Sequence, residues 1–589
     1  MATAHGTCTS QPERCVFKLQ RTAHRVRIAH HPDLLLCSLT LSHFAKKPRI
    51  MATRALPLIL REASPWAVAA TAVAAALLWL AAWTLEWAWW TPRRLERALR
   101  AQGLEGTRYR LFTGDITEST QLNRDARAKP LPAGSHDIVR RVQPMLYDTV
   151  KQYGKLSFTW FGPTPRVMIS DPALLREVFS NKFGHFPKPK SSRVANLIAN
   201  GIVSHEGDKW AKHRRILNPA FHHDKLKRML PLFSACSIEM VTRWENSMPS
   251  EGSSEIDVWP EFQNLTGDAI SRAAFGSSYQ EGRRIFQLQE ELAEYIVQPF
   301  QANIIPGYWF LPTKGNRRMR EIDAEVRKTL RRIIEKREKA LKNGETSNDD
   351  LLGLLLESNM RESNGASSLG MTTEDMIEEC KLFYFAGMET TSVLLTWTLI
   401  VLSMHPEWQE RAREEVLAHF GRSNKPDYDT LSRMKIVSPK PILILFYSHD
   451  CQRGPEVIPA SNLRDEKNLQ GNGARGIKYP AGVNLMLPIL FIHHDPAIWG
   501  DDASEFNPAR FADGVSSATK LQGGGGFFPF GWGPRICIGQ NFALLEAKMA
   551  LCTILQHFSF ELSPSYTHAP YTVITLHPQH GAQIKLTKL

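Results

Sequence analysis

The chain has 589 residues, of which 43% are hydrophobic and 22% are charged, and its formal net charge is +13. This balance is ordinary for a globular protein with a sizeable core, and it excludes wholesale disorder. The eight cysteines include no Cys-x-x-Cys pair and no close cluster, which argues against a disulfide framework and against a structural zinc site.

The first fifty residues are basic, with eight lysines and arginines against Glu13 and Asp33, a net charge of +6. The remaining positive charge is spread along the chain, which favours a solvated basic surface over a nucleic-acid interface. Met51 begins the sequence MATRALPLIL and offers a second possible start. We interpret residues 1–50 as a basic extension without a structural role, and an organelle transit peptide is the alternative.

An uncharged apolar run, WAVAATAVAAALLWLAAWTL, occupies residues 66–85. Its length is what an α-helix needs to cross the hydrocarbon core of a bilayer. The run is followed by interfacial aromatic residues and then by basic residues: Trp87, Trp89, Trp90, Arg93, Arg94, Arg97 and Arg100. We therefore predict a single transmembrane anchor with the following domain in the cytosol. A cleaved signal peptide is disfavoured because no small-residue cleavage site follows the run.

Residues 92–589 are predicted to form one large domain that is predominantly α-helical with a small β region. The runs KLSFTWFG and PRVMIS, within residues 155–170, predict strands early in this domain, and GAQIKLTKL predicts another at its end. Trp210 and Arg214 stand four residues apart on one predicted helix, where an indole and a guanidinium can reach one anionic group together. A surface pair is the alternative for these two side chains.

A long apolar helix is predicted over residues 374–403, beginning at a Thr-Thr-Glu-Asp cap and ending before His405. Its interior contains the sequence AGMETT, residues 386–391. Glycine and threonine weaken a helix interior. We therefore predict a local opening, at which Glu389 and Thr390 could hold dioxygen and relay protons. Ordinary helix packing is the alternative.

The sequence FPFGWGPRICIG, residues 528–539, places one cysteine in a glycine-rich loop. Cys537 directly precedes a predicted helix, whose positive dipole end would face the sulfur. Gly533 and Gly539 let the backbone approach a flat ligand, and Arg535 can pair with a carboxylate on it. A lone thiolate suits a prosthetic group that supplies the other ligands itself, as porphyrin does for haem iron. A buried structural cysteine is the alternative.

The pattern Phe530-x-x-Gly533-x-Arg535-x-Cys537-x-Gly539 resembles the haem-ligand loop of the cytochrome P450 superfamily. The resemblance covers roughly residues 93–589 and is greatest to the plant clan that includes secologanin synthase, triterpenoid oxidases and hormone-inactivating hydroxylases. It implies the cytochrome P450 fold, with Cys537 as the axial thiolate ligand of the iron. It also implies that Arg535 meets a haem propionate and that Phe530 packs beside the sulfur.

The same resemblance assigns the other two motifs. Trp210 and Arg214 would contact a propionate, and Glu389 and Thr390 would form the oxygen-activation motif. It implies haem b as cofactor, electrons from NADPH through NADPH–cytochrome P450 reductase, and no nucleic-acid partner. The expected enzyme is a single-pass monooxygenase of the endoplasmic reticulum membrane that hydroxylates a terpenoid, a steroid-like compound or a hormone. Haem-thiolate isomerases and dehydratases are an alternative, against which the Glu389–Thr390 pair weighs.

One element of the family is missing. The family has a Glu-x-x-Arg helix before the cysteine loop, but similarity stops after residue 437 and resumes at residue 476. We interpret residues 438–475 as an aberrant segment, produced by a retained intron and a shifted reading frame. Arg510, the usual partner of that helix, is then expected to be unpaired, at a cost of about 3–5 kcal/mol. The alternative function is therefore a catalytically impaired haem-binding product. Two other Glu-x-x-Arg sequences lie on earlier helices: Glu281 to Arg284 and Glu410 to Arg413.

Overall fold

The computed structural model describes residues 64–180, 186–188, 193–198, 200–250, 252–276, 279–297, 307–344, 350–363, 370–437, 439–446, 456–459, 479–521 and 525–589. The predicted basic extension, residues 1–50, lies outside these ranges. The chain divides into two units, Met1–Ala82 and Trp83–Leu589, which are described separately.

The apolar run forms helix α1, Pro65–Leu85, and none of its residues is buried. Its 21 residues span about 31 Å at 1.5 Å per residue, which matches the hydrocarbon thickness of a bilayer. Among the described helices, Thr373–Met404 is also long and apolar enough to cross a membrane, but most of it is buried in the protein. The solvent-exposed α1 is therefore the candidate anchor.

The second unit begins with a π-helical turn, Glu86–Trp90, and the basic helix α2, Thr91–Arg100. Trp83 stacks on Trp87 with ring centroids 6.2 Å apart, and the Arg93 guanidinium lies 3.8 Å from the ring centre of Trp89. Only apolar residues of α2 are buried, so its arginines face outward. The basic segment after the tryptophans is therefore helical, with its arginine side chains on the surface.

Helices make up most of the second unit, as the sequence predicts. After α2 they are α3 Ile116–Arg127, α4 Val139–Val142, α5 Pro144–Tyr153, α6 Pro172–Ser180, α7 Arg193–Ile198, α8 Gly207–Leu217, α9 His223–Ser247, α10 Val258–Phe275, α11 Tyr279–Val297, α12 Lys314–Lys342, α13 Leu351–Ser363, α14 Thr373–Met404, α15 Pro406–Phe420, α16 Tyr428–Arg433, α17 Lys440–Phe446, α18 Ile489–His493, α19 Pro496–Trp499 and α20 Gln540–His557.

The strands within the described ranges form three small sheets. Their strands are β1 Glu105–Gly106, β2 Ser157–Phe161, β3 Thr164–Met168, β4 Ser253–Asp257, β5 Glu456–Pro459, β6 Asn484–Leu487, β7 Phe558–Leu562, β8 Pro570–Thr572, β9 Leu576–Pro578 and β10 Gln583–Lys588. The sheet orders are β1-β2-β3-β6-β5, β4-β10-β7 and β8-β9. The predicted strands near residue 160 form the antiparallel pair β2–β3, with Phe158 opposite Val167, and the predicted last strand is β10.

Helix α14 is the centre of the core, and the sequence predicts its ends well. Thr372 and Asp375 form a reciprocal capping box at its start, and His405 ends it. It packs against α10, α12 and α20, and most of its 32 residues are buried. The packing makes α14 the element that connects the parts of the functional site described below.

The interval around residues 438–475 is described only in part. Residues 440–446 form α17, whose Ile442, Leu443 and Leu445 are buried, and residues 456–459 form β5, which pairs antiparallel with β6. The rest of the interval lies outside the described residues. An apolar helix therefore lies in this interval, and the aberrant origin of the segment stays a hypothesis.

Arg510 corrects one expectation from the sequence. Its guanidinium lies 2.8 Å from the Asp502 carboxylate and donates to the backbone oxygens of Trp499 (2.5 Å) and Asp502 (2.8 Å). Its side chain is 9% exposed, so it is buried and paired rather than unpaired. The expectation was wrong because a carboxylate eight residues earlier folds back onto the guanidinium.

The other Glu-x-x-Arg sequences have partners of their own. Arg413 pairs with Glu410 and donates to the carbonyl oxygen of Phe558 at 3.0 Å. Arg284 pairs with Glu325 at 2.7 Å, and both side chains are exposed. Each arginine is thus held by groups away from the Arg510 loop.

We predict that Arg510→Met lowers the free energy of unfolding by about 3 kcal/mol, because it leaves Asp502 and two carbonyl oxygens without their donor. Arg284→Met is the matched control and should cost much less, because its ion pair is exposed. Thermal unfolding of the purified, detergent-solubilised protein measures both. Equal losses for the two variants would contradict the assigned pairing of Arg510.

Candidate functional site

Backbone hydrogen bonds give the cysteine loop its shape. The Cys537 N–H donates to the Phe530 oxygen at 2.9 Å, and the Ile536 N–H donates to the Gly533 oxygen at 3.1 Å. Gly533 has φ +70, and a Cβ there would lie 2.8 Å from the backbone oxygen of Phe179. Both the backbone angle and the contact require glycine at this position.

The sulfur of Cys537 lies at the amino end of α20, which begins at Gln540. Burial raises the pKa of its thiol, while the backbone N–H groups of Gly539 and Gln540 and the positive charge of Arg214 act to lower it. A Cβ at Gly539 would lie 4.0 Å from the sulfur, so a larger side chain would extend beside it. The environment therefore contains three groups that favour a negative sulfur, which a bound metal ion would favour further.

Trp210, Arg214 and Arg535 are brought together beside this loop. Arg214 donates to the backbone oxygen of Ile536 at 2.9 Å, and the Arg535 guanidinium lies 4.7 Å from the ring centre of Trp210. Helix α8 thus presents Trp210 and Arg214 to the segment that contains Arg535 and Cys537.

Sequence reasoning missed Glu206 and His205, which precede α8. Glu206 pairs with Arg535 at 2.8 Å, and Arg535 also donates to the His205 backbone oxygen at 3.0 Å. The only local sign of a role for Glu206 in the sequence is its position directly before the helix that contains Trp210.

Phe530 and His493 support the loop from its other end. Phe530 is 5% exposed and shares one apolar cluster with Ala386, Met388 and Cys537. The ring of His493 is fully buried, and its Nε2 accepts a hydrogen bond from the Phe528 N–H at 3.1 Å. His493 was missed because nothing in its local sequence relates it to a loop that begins 35 residues later.

The local opening predicted in α14 is wrong. The helix is continuous from Thr373 to Met404, and the Thr390 hydroxyl donates to the Ala386 oxygen at 2.8 Å. A Cβ at Gly387 would lie 2.5 Å from Cγ1 of Ile270 on α10. Glycine at this position therefore permits close packing of two helices rather than opening one of them.

Glu389 is buried and holds two partners from the carboxyl end of the chain. His577 Nε2 and Thr575 Oγ1 each lie 2.5 Å from its Oε1. Burial alone would raise the pKa of Glu389, but the charge of His577 and the hydrogen bonds from His577 and Thr575 outweigh burial and lower it. The structure thus holds a negative carboxylate next to Thr390. No local pattern in the sequence indicates these partners, since Thr575 and His577 lie 186 and 188 residues after Glu389.

A second buried acid, Glu546, behaves in the opposite way. It lies on α20, nine residues after Cys537, and is 2% exposed. Burial raises its pKa well above the ordinary value, and the Thr391 hydroxyl offsets this only in part. Because Thr391 follows Thr390 on α14, Glu546 lies between the two helices of the site.

We predict that Glu546→Gln is more stable than the native chain by about 1–3 kcal/mol at pH 8, since it removes a buried ionisable group. The pKa of Glu546 is higher in the folded protein than the usual value of about 4.5. The native protein therefore loses stability as the pH rises from that usual value through the folded-state pKa. The advantage of the variant should therefore shrink at pH 5, as measured by thermal unfolding.

Glu389→Gln is the matched control for this prediction. Its native carboxylate has a lowered pKa, so its contribution to stability is present above the usual pKa and is lost only as pH falls through the folded value. The control should be destabilised at both pH 5 and pH 8. Parallel pH profiles for native protein and Glu546→Gln would contradict the raised pKa of Glu546.

Comparisons with known proteins agree with this arrangement. The family described as Cytochrome P450 matches residues 139–585. Cytochrome P450 CYP72A616 of Paris polyphylla is 58% identical over 522 residues, covering 88% of this chain and 98% of the relative. The 11-oxo-beta-amyrin 30-oxidase of Glycyrrhiza uralensis is 49% identical over 529 residues, covering 89% and 98%. Secologanin synthase 2 of Catharanthus roseus is 48% identical over 531 residues, covering 89% and 97%.

The match spans most of the second unit, from α4 to β10, and includes the cysteine loop, the Trp210–Arg214 helix and the Glu389–Thr390 helix. Family, fold and the expected monooxygenase chemistry therefore agree. The chain belongs to the cytochrome P450 family of oxidoreductases.

Proposed function

We propose that the protein is a membrane-anchored haem-thiolate monooxygenase that hydroxylates an apolar small molecule of the terpenoid, steroid-like or hormone class. The observation that carries the proposal is the partly buried Cys537 sulfur at the amino end of α20, with Arg214 acting on it electrostatically. The neighbouring Arg535 and Trp210 form a second, cationic and aromatic part of the same site. This set matches a planar, carboxylate-bearing prosthetic group with a metal at its centre.

The residues present fit haem b. Cys537 would hold the iron, Gly539 places no side chain beside the sulfur, and Gly533 lets the loop pack against the backbone of Phe179. Trp210 and Arg535 would bind the haem carboxylates together with Arg214, which is half-buried in the same region. Phe530 would pack beside the sulfur, where it is already part of the apolar cluster that contains Cys537.

Haem supplies dioxygen binding and insertion of an oxygen atom when it is bound. The chain itself supplies the proton path: Glu389 holds a negative carboxylate, fixed by His577 and Thr575, beside the hydroxyl of Thr390. The Thr390 hydroxyl, bonded to the Ala386 oxygen, can exchange that partner for a ligand on the same helix face without breaking the backbone hydrogen bonds of α14. The two residues therefore suit delivery of protons to bound oxygen.

The substrate proposal comes from the relatives. The names of the Glycyrrhiza uralensis and Catharanthus roseus relatives refer to 11-oxo-beta-amyrin and secologanin. A terpenoid is therefore the first substrate class to test. Consumption of NADPH in the presence of a terpenoid panel would identify a compound that the enzyme oxidises.

Location and redox partner follow from the amino-terminal region and the family. Helix α1 is long enough to span the bilayer, and the arginines after it favour the cytosolic side. We propose a single-pass protein of the endoplasmic reticulum membrane. Its electrons would come from NADPH through NADPH–cytochrome P450 reductase, an acidic flavoprotein that the basic surface would dock.

A haem-binding product with impaired catalysis is the second candidate function. The observation that favours it is the apolar helix α17 in the interval where the family has its Glu-x-x-Arg helix. Pairing of Arg510 with Asp502 weakens this candidate, because the arginine does not depend on the missing acid. Haem occupancy of the chain, compared with a chain in which residues 438–475 are replaced by a relative's segment, decides between the two: equal occupancy and turnover favour the monooxygenase.

We predict that Cys537→Ala abolishes the haem-thiolate band in the reduced carbon monoxide difference spectrum and lowers NADPH-dependent turnover at least a hundredfold, because the iron loses its protein ligand. Cys552→Ala is the matched control, since Cys552 is fully buried within α20, the helix that follows Cys537. It should lose some stability but keep the band. A Cys537→Ala protein with an unchanged band would overturn the proposed function.

A further inference from the structure

A cluster of His205, His213 and Glu379, with His205 half-buried and the other two buried, lies outside the residues assigned above to the cofactor. His213 is 1% exposed and Glu379 is fully buried. His213 Nδ1 lies 2.5 Å from Glu379 Oε1, and the ring of His205 meets that of His213 edge-on with centroids 4.5 Å apart. The mechanism proposed above uses none of the three side chains.

The cluster is directly behind the cofactor-binding face of α8. His213 lies between Trp210 and Arg214 in the sequence of this helix, so its bond to Glu379 ties α8 to α14 within the same turns. The other end of the cluster is tied to the cysteine loop, because the His205 backbone oxygen accepts from Arg535. Helix α8, helix α14 and the cysteine loop therefore meet at this cluster, and they must be aligned for the haem carboxylates to bind.

Gly201 shows how closely the chain packs around the pair. It has φ +74, and a Cβ there would lie 2.7 Å from Glu379 Oε2. Burial raises the pKa of Glu379, and His213 opposes that effect. A buried acid that packs against glycine and bonds to one histidine leaves little freedom for α8 to shift relative to α14.

We propose that His213 and Glu379 are a positioning pair, which orients α8 so that Trp210 and Arg214 face the cysteine loop and thereby sets how tightly the haem carboxylates are held. This inference rests on the proposed function. A metal ion in the cluster is the competing explanation, since ligand atoms of His205, His213 and Glu379 all lie within 4.8 Å of one another. The 2.5 Å separation within the pair is shorter than the roughly 3.4 Å between neighbouring ligands of a tetrahedral zinc site, so the contact is a hydrogen bond.

Three variants of the full-length protein test the pair. His213→Phe removes the bond, and Glu379→Gln keeps an acceptor for His213 in a side chain of the same size. His568→Phe is the matched control, because His568 is 2% exposed and hydrogen-bonded to Tyr566 and the Ser135 oxygen, away from α8. The first measurement is the rate of haem transfer to apomyoglobin, and the second is hydrogen exchange of the α8 amides in haem-free protein.

We expect His213→Phe to lose haem about tenfold faster and to lose protection of the α8 amides, because a buried hydrogen bond between two elements is gone. Glu379→Gln should stay within about threefold of the native rate, and so should the control even where its melting temperature falls equally. Equal haem loss in His213→Phe and His568→Phe would overturn the proposal, since it would show only general destabilisation.

The outcomes also separate this inference from the proposed function. Failure of the native protein to take up any haem would refute the proposed function, and exchange of the α8 amides would still test the positioning of α8. Zinc retained at one equivalent by native protein after dialysis, and lost in His213→Phe, would overturn the positioning role in favour of a metal site.

Discussion

Burying a sulfur that must carry negative charge is the constraint on which the site depends. Burial alone favours the neutral thiol of Cys537, and the structure opposes this with two backbone N–H groups at the start of α20 and with the charge of Arg214. Gly533 lets the loop pack against the backbone of Phe179 and Ser180, and Gly539 places no side chain beside the sulfur. The loop, the helix and the arginine therefore have to be in place together before an iron ligand is available.

Other ionisable groups inside the second unit are also held by partners. Glu389 is held by His577 and Glu379 by His213, each from a distant part of the chain, whereas Arg510 is held by Asp502 only eight residues away. The first two pairs each join two elements, so they also fix the position of a helix. Two of the pairs involve α14, which explains how one helix can place a proton-handling couple at one point and support the cofactor-binding helix α8 at another.

The sequence predicted features whose causes are local. The capping box and the apolar run predicted α14, two short strand-like runs predicted β2 and β3, and the spacing of glycine, arginine and cysteine predicted the loop and its expected ligand. It failed where the cause lay in another element. Gly387 was interpreted as opening α14, whereas Ile270 of α10 packs against it. The histidine partners of Glu389 and Glu379 could not be predicted, because only the fold brings β9 and α8 to α14.

The central claim is that the protein binds haem iron through Cys537, and iron-edge X-ray absorption of the haem-loaded protein tests it most directly. The account predicts a sulfur neighbour in the first coordination shell of iron in the native protein, and its replacement by a lighter atom when Cys537 is changed to alanine. A native spectrum with only nitrogen and oxygen neighbours, or a sulfur neighbour that persists without Cys537, would contradict it.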